Sequence, residues 1–233
     1  MGMFLRRGPA PKLGTPIGSF DVGSTIKLNV NGTPWEFLIV HQGLPSDLYD
    51  ASCDGTWFLM KDIYEERLWN DTNSNVYETS AIDTWLNGDF LGLLDSNVQS
   101  AIKQVKIPYR SDGGENGTDQ SGANGLLAKV FLLSGYELGW TTSDNTSFPV
   151  DGAKLAYFEN GTGTSANNKR IAKRDGSAAT WFLRSPLTTN SYRVCAVRAS
   201  GSYYRHNAPS SFGIRPAFIL PSDFRVTEEM LVA

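Results

Sequence analysis

The side chains that most often do chemistry are scarce in this chain and stand apart. Cys53 and Cys195 are far from each other, neither lies in a CxxC pair, and the two histidines, His41 and His206, sit in unrelated segments. Zinc takes Cys and His ligands at short, characteristic spacings, so no zinc site is expected. Cys195 and His206 are the nearest thiol and imidazole in sequence, yet a nucleophile–base pair there would lack a third, orienting group. There is no Ser elbow, HExxH or Gly-rich phosphate loop. The cysteines read either as two buried thiols or as one long-range disulfide. Asp112, Glu115 and Asp119 offer oxygen ligands in a number calcium accepts, at a spacing unlike an EF-hand loop. Calcium is thus the one ion left open, and no other cofactor is expected.

What the chain does offer is recognition chemistry. Tyr203-Tyr204-Arg205-His206 is its densest run of contact-forming side chains. Tyrosine brings a large amphipathic surface at low entropy cost, and arginine brings a planar fork of donors. The plain alternative is a solvated loop with incidental aromatics.

Composition bounds the scaffold that must carry these groups. The chain has 233 residues, 40% hydrophobic, 12% aromatic and 19% charged, with 23 glycines. That balance predicts one loop-rich globular domain rather than a coiled coil or a disordered tail. A formal charge of −3 with scattered basic residues gives no footprint for a polyanion, so nucleic acid is not expected as a partner. No apolar run reaches the ~18 residues of a membrane span, and the start lacks the apolar core, about 7–15 residues long, of a signal peptide. Both observations predict a protein soluble as made, with no membrane insertion.

Residues 1–22, with Pro9, Pro11 and Pro16, read as an extended arm that docks on the domain or on a partner. The single domain then spans 23–233. A hairpin is predicted over 25–40 around the Asn31-Gly32 turn signal, and a further strand over 56–62. Ser80 caps a helix bearing Ile82, Trp85 and Leu86, which Asn87-Gly88 is expected to end, and a second helix is predicted over 96–103. Residues 111–125 and 141–179 read as long irregular loops. Strands are predicted over 129–133, 180–184, 193–198 and 213–220. Short strands, two helices and long loops make an α+β domain. Trp181 and Leu183 are assigned to its core, with Arg184 and Arg215 buried and paired to acids such as Glu137.

Four pieces in fixed order carry a resemblance: Thr84-Trp85-Leu86-Asn87 with Phe90, then Val130-Phe131-Leu132-Leu133-Ser134 with Glu137, then Trp181-Phe182-Leu183-Arg184-Ser185-Pro186, then Gly213-Ile214-Arg215-Pro216-Ala217-Phe218. They resemble a bacterial and phage domain family of uncharacterised function, related to the formylglycine-generating-enzyme branch of the C-type lectin fold. The similarity spans roughly 24–221 and implies a C-type-lectin-like fold of that type. The C-terminal part is similar to the variable segment of diversity-generating retroelement target proteins, in which an error-prone reverse transcriptase rewrites adenines. Randomised Asn codons ending in a pyrimidine never yield Lys, Glu, Gln, Met or Trp. Residues 185–213 contain none of the five, where composition alone would supply about four.

The resemblance therefore implies a variable segment over 185–213 with a ligand-binding set of Tyr192, Arg193, Arg198, Ser200, Ser202, Tyr203, Tyr204, Arg205, His206, Asn207, Ser210 and Phe212. Cys195, Val197, Gly201, Ala208 and Ser211 are the fixed positions between them. Most of the set is expected on one contiguous exposed face. The function implied is non-enzymatic recognition of a protein or carbohydrate on a cell surface, by a protein on a phage particle or bacterial cell. A fixed-sequence carbohydrate or cell-surface module of the same fold is the alternative. An oxidoreductase like the formylglycine-generating enzymes is a third reading, against which stands the lack of their close cysteine pair near the C-terminal end.

Overall fold

Asn31 and Gly32, at φ 51° and 72°, make the tight left-handed turn that joins Thr25–Val30 to Thr33–Gln42. This hairpin is the edge of a five-stranded antiparallel sheet in the computed structural model, which describes residues 14–231. Its order is Val130–Phe131, Ala217–Leu220, Thr56–Met60, Thr33–Gln42 and Thr25–Val30. The second five-stranded sheet runs Tyr203–Asn207, Arg193–Val197, Trp181–Pro186, Ser211–Ile214 and Glu65–Leu68. Its 181–186 and 211–214 strands are parallel, meeting at Trp181 and Gly213, and its other pairs are antiparallel.

Two segments belong to both sheets. Residues 56–68 run antiparallel to 211–220, first in one sheet and then in the other. The break falls at 61–64 and 215–216, so the predicted strand over 213–220 is in fact two. Arg215 spans that break: its Nε donates to the Met60 carbonyl (3.0 Å) and its Nη2 to that of Lys61 (2.9 Å), while the guanidinium lies 4.4 Å from the Trp181 ring centre. The expected acidic partner is absent among the described residues; main-chain carbonyls and an aromatic face hold this arginine instead, and its Nη1 is buried without a hydrogen-bond partner.

Strand alternation then sends neighbouring side chains into two different cores. Phe58, Phe182, Val194, Ala196 and Phe218 face one, which the helices cover with Ile82, Trp85, Leu86 and Phe90. Trp57, Trp181, Leu183, Cys195, Val197 and Ile219 face the other, covered by loops carrying Trp140, Phe148 and Phe158. Trp181 and Leu183 are fully buried.

The molecule is a mixed, sheet-rich fold with few helices, and several boundaries depart from expectation. The helix capped by the Ser80 hydroxyl does not stop at Asn87-Gly88; Ala81–Trp85 continues through a wide turn, Leu86–Phe90, into Leu91–Leu93. Asn87 is retained inside because its amide donates to the Val130 carbonyl and accepts from Lys129 and Val130 amides, which binds the helix to the first sheet. Residues 111–125 are not one irregular loop, since Tyr109–Ser111 pairs with Thr118–Gln120 through a turn in which Asp112 has φ 56°. Residues 141–179 include a short helix, Thr164–Asn168, and a hairpin of Ala172–Arg174 with Ser177–Ala179. Of the N-terminal arm, Thr15–Pro16 pairs with Arg225–Val226 and Ile17 is fully buried, so this part is docked on the domain. Residues 1–13 lie outside the described residues.

The loops over the second core are fastened by one ion pair. Arg184 and Glu137, 1% and 0% exposed, meet through two bonds of 2.6 and 2.7 Å. Arg184 also donates to the carbonyls of Pro108, Leu132 and Asp151, so each of its five N–H groups is satisfied. Glu137 accepts in addition from the Tyr49 hydroxyl and the Ser134 amide. Removing one partner leaves the other charge uncompensated in the interior. Glu137→Ala should therefore cost about 3–5 kcal/mol in urea unfolding. A loss below about 1 kcal/mol for Glu137→Ala would show that the pair does not hold the loops.

Candidate ligand-binding site

The segment with recognition chemistry folds as a hairpin at the free edge of the second sheet. Arg193–Val197 pairs with Tyr203–Asn207, Arg193 opposite Asn207 and Val197 opposite Tyr203. At the tip, Arg198 and Gly201 close the turn through Arg198 N to Ser202 O (2.9 Å) and Gly201 N to Arg198 O (2.8 Å). Gly201 has φ 78°, and a Cβ there would stand 1.9 Å from the Asn167 carbonyl oxygen. Only glycine permits both the left-handed turn and that close approach. At the other end, the fully buried Asn75 donates to the carbonyls of Asn190 and Arg193, and its oxygen accepts from the Gly114 amide. Sequence reasoning missed Asn75; the Asn-rich stretch over 70–75 was its one signal.

None of the twelve expected binding residues is fully buried, whereas Val194, Cys195, Ala196, Val197 and Ala208 among them are buried completely. Ser211, expected as a fixed scaffold position, is exposed. The twelve do not share one face. Arg193, Tyr203, Arg205 and Asn207 follow the direction of Cys195, while Tyr204 and His206 follow that of Val194 and Ala196. A basin of about 630 Å³ opens along the edge strand, with Arg193, Arg198, Arg205, Asn207 and Asn145 in its lining, and Tyr203, Tyr204 and His206 border it as well. Toward Val194 and Ala196, His206 meets Phe212 edge-on at 5.3 Å, Tyr204 lies 6.1 Å from Phe212, and Phe212 packs on Phe182. These aromatics lie over the helix-covered core. Ser210 is tied to His206 Nδ1, and the Ser200 and Ser202 hydroxyls bond each other at the tip. Tyr192 lies half-buried under the Arg193 guanidinium, 5.5 Å away.

Tyr203 belongs to the support more than to the display. Its ring packs edge-on against Phe148 (4.9 Å) and Trp140 (5.9 Å), and its hydroxyl is buried beside the Cys195 thiol. Burial pushes that hydroxyl well above the usual tyrosine range. Cys53 and Cys195 are free and buried, and burial drives the Cys53 thiol up to about 12 and the Cys195 thiol well above its ordinary value. Neither is a thiolate near neutral pH. Cys195 and His206 point to opposite faces of the hairpin, so the thiol–imidazole pair entertained from the sequence is not assembled. His41 is also structural, its Nδ1 accepting from the Ala156 amide (3.1 Å). In the calcium candidate, Asp119 is engaged by Arg110 (2.8 Å) and by the Val150 amide. Among the described residues no group of three or more His, Cys, Asp or Glu is arranged to hold a metal.

Residues 54–222 match the family described as a domain of unknown function, DUF6273. The chain belongs to that family. No curated protein and no solved structure matches it. The matched DUF6273 stretch contains all of the second sheet and the binding hairpin, and the hairpin over 25–42 stands outside it. Among the described residues no helix is long and apolar enough to cross a membrane.

The buried Asp151 carboxylate lies beside the Ser185 hydroxyl and within electrostatic reach of Arg184 and Cys195. Burial raises it from an ordinary 3.8 to about 7 despite the Arg184 charge. The folded protein thus keeps a proton that the unfolded chain releases, and this contribution to stability is lost as pH rises from 3.8 through about 7. Asp151→Asn should be more stable than the parent by about 2–4 kcal/mol at pH 8, and the gap should close toward pH 4. Thermal unfolding of both proteins across this range checks it; a gap independent of pH would show that Asp151 is not the titrating group.

Proposed function

We propose that the protein is a non-enzymatic ligand-binding protein with a C-type-lectin-like fold of the formylglycine-generating-enzyme type, whose segment 185–213 is diversified as in retroelement target proteins. One observation carries the reading. Along a single hairpin, Arg193, Arg198, Arg205 and Asn207 stand outside the core, and Val194, Cys195, Ala196 and Val197 between them are fully buried. A scaffold of that kind accepts new side chains without losing its fold, because surface changes usually stay within about 0.5 kcal/mol each. The absence of Lys, Glu, Gln, Met and Trp from 185–213 is the pattern adenine rewriting would leave. The partner is a protein or carbohydrate on a cell surface, met by this chain on a phage particle or bacterial cell.

The test needs no knowledge of the ligand. In a library with Arg193, Arg198, Arg205 and Asn207 randomised to the adenine-accessible residues, most members should fold and melt within a few degrees of the parent. Randomising Val194, Cys195, Ala196 and Val197 to the same residues should abolish folding in most members. Equal loss in the two libraries would defeat the display reading. A fixed-sequence module of this fold would give the same two library results, and it is separated by the neighbouring DNA. A diversified protein should have a near-copy of the codons for 181–218, differing at adenines, beside a reverse transcriptase gene.

A further inference from the structure

We propose that the basin on the edge hairpin takes an acidic saccharide, gripping its carboxylate or sulfate group with Arg193, Arg198 and Arg205. The inference rests on the ligand-binding reading above and names the class of ligand. Between Asp175 and Asp223 the chain has five arginines and no acidic residue or lysine, although its net charge is −3. Two of the five, Arg184 and Arg215, are consumed inside the fold by carbonyls and Glu137. The other three line one basin and none of them has an ion-pair partner among the described residues. Elsewhere on the surface Arg67, Arg110 and Arg174 each meet a carboxylate, at 2.6, 2.8 and 2.9 Å.

The three guanidinium groups are also partly organised. Arg198 lies 4.4 Å from the Tyr204 ring centre and Arg193 lies 5.5 Å from that of Tyr192. Stacking of this kind occupies the flat face of a guanidinium and leaves its edge of N–H donors available for a bidentate oxyanion. The volume, about 630 Å³, is that of a site for a small ligand. Asn145 and Asn207 border it with amides suited to hydroxyl groups. A protein partner would need an apolar anchor. The tyrosines here are already engaged, Tyr203 against Trp140 and Phe148 and Tyr204 beneath Arg198, and the large exposed apolar residues Leu44, Leu68, Leu127, Val150 and Leu231 all lie elsewhere. A polar body carrying a negative group fits these walls better than an acidic peptide does.

Calorimetric titration of the full chain with four probes at low salt tests the assignment: an oligogalacturonate tetrasaccharide, a sulfated heparin-derived tetrasaccharide, neutral maltotetraose and an octaglutamate peptide. At least one acidic saccharide should bind and maltotetraose should not. Arg198→Gln or Arg205→Gln should weaken that binding about tenfold or more, and Arg67→Gln should leave it unchanged. Equal binding of maltotetraose, or indifference to both basin substitutions, would overturn the anion assignment. Octaglutamate binding as tightly as the saccharides would replace the sugar with an acidic peptide. If neither acidic saccharide binds while the surface library above still folds, the ligand class is wrong and the display reading stands; a library that fails to fold removes both.

Discussion

The rest of the structure depends on taking the Arg184 guanidinium out of water with every donor matched. Burying an arginine costs several kcal/mol, and only a close counter-ion and full hydrogen bonding offset it. Here the counter-ion is Glu137, and three of the five N–H groups serve main-chain carbonyls from three separate segments, at Pro108, Leu132 and Asp151. Those segments have few ladder partners of their own. The arginine supplies donors where a neighbouring strand would otherwise have done so.

Arg170 and Arg215 repeat the use of carbonyls, though Arg215 leaves its Nη1 unpartnered. Arg170 donates to the carbonyls of Leu138 and Glu159 and lies 4.3 Å from the Trp140 ring centre, and Arg215 closes the break between the sheets against Trp181. Both are buried, and burial lowers each to about 10. Three arginines therefore organise the irregular half of the molecule, and each is tied to an aromatic ring or to Glu137. That half forms the back wall of the binding hairpin through Trp140 and Phe148. The same residue type faces outward at Arg193, Arg198 and Arg205, none of which has an ion-pair partner among the described residues. What separates structural from available arginines is the local supply of acceptors, which composition does not show.

Much of the fold was legible as local pattern. The Asn31-Gly32 turn, the Ser80 cap and the apolar runs at 56–60, 181–186 and 217–220 carry their geometry in adjacent residues. Pairings set at long range were harder to see. Glu65–Leu68 and Tyr203–Asn207 are strands of polar residues, recognisable as such only once their partners are in place. Asn87 looks like a helix stop until its amide is seen bonded to Val130. The site was found as a segment, and its division into a basin face and a core-facing side was missed because the register of the edge strand decides it. Arg184 with Glu137 was readable from charge beside apolar residues, and the same logic failed for Arg215 because two main-chain carbonyls and the Trp181 ring take the place of a carboxylate.

That division limits how freely the hairpin could vary. Arg193, Arg198, Arg205 and Asn207 border solvent, and a change there removes little packing. Tyr204 and Phe212 pack against the helix-covered core, and Tyr203 packs against the other. A small or charged residue at these three positions would leave Phe182, or Trp140 and Phe148, without cover. Under the proposed diversification, adenine rewriting would deliver Asp, Ser and Gly as readily as Tyr or Phe, and the need for a folded chain would then restrict the aromatic positions more than the arginines. The tyrosines of this segment are thus held partly by the core, and under the proposed function the freedom to vary resides mainly at Arg193, Arg198, Arg205 and Asn207.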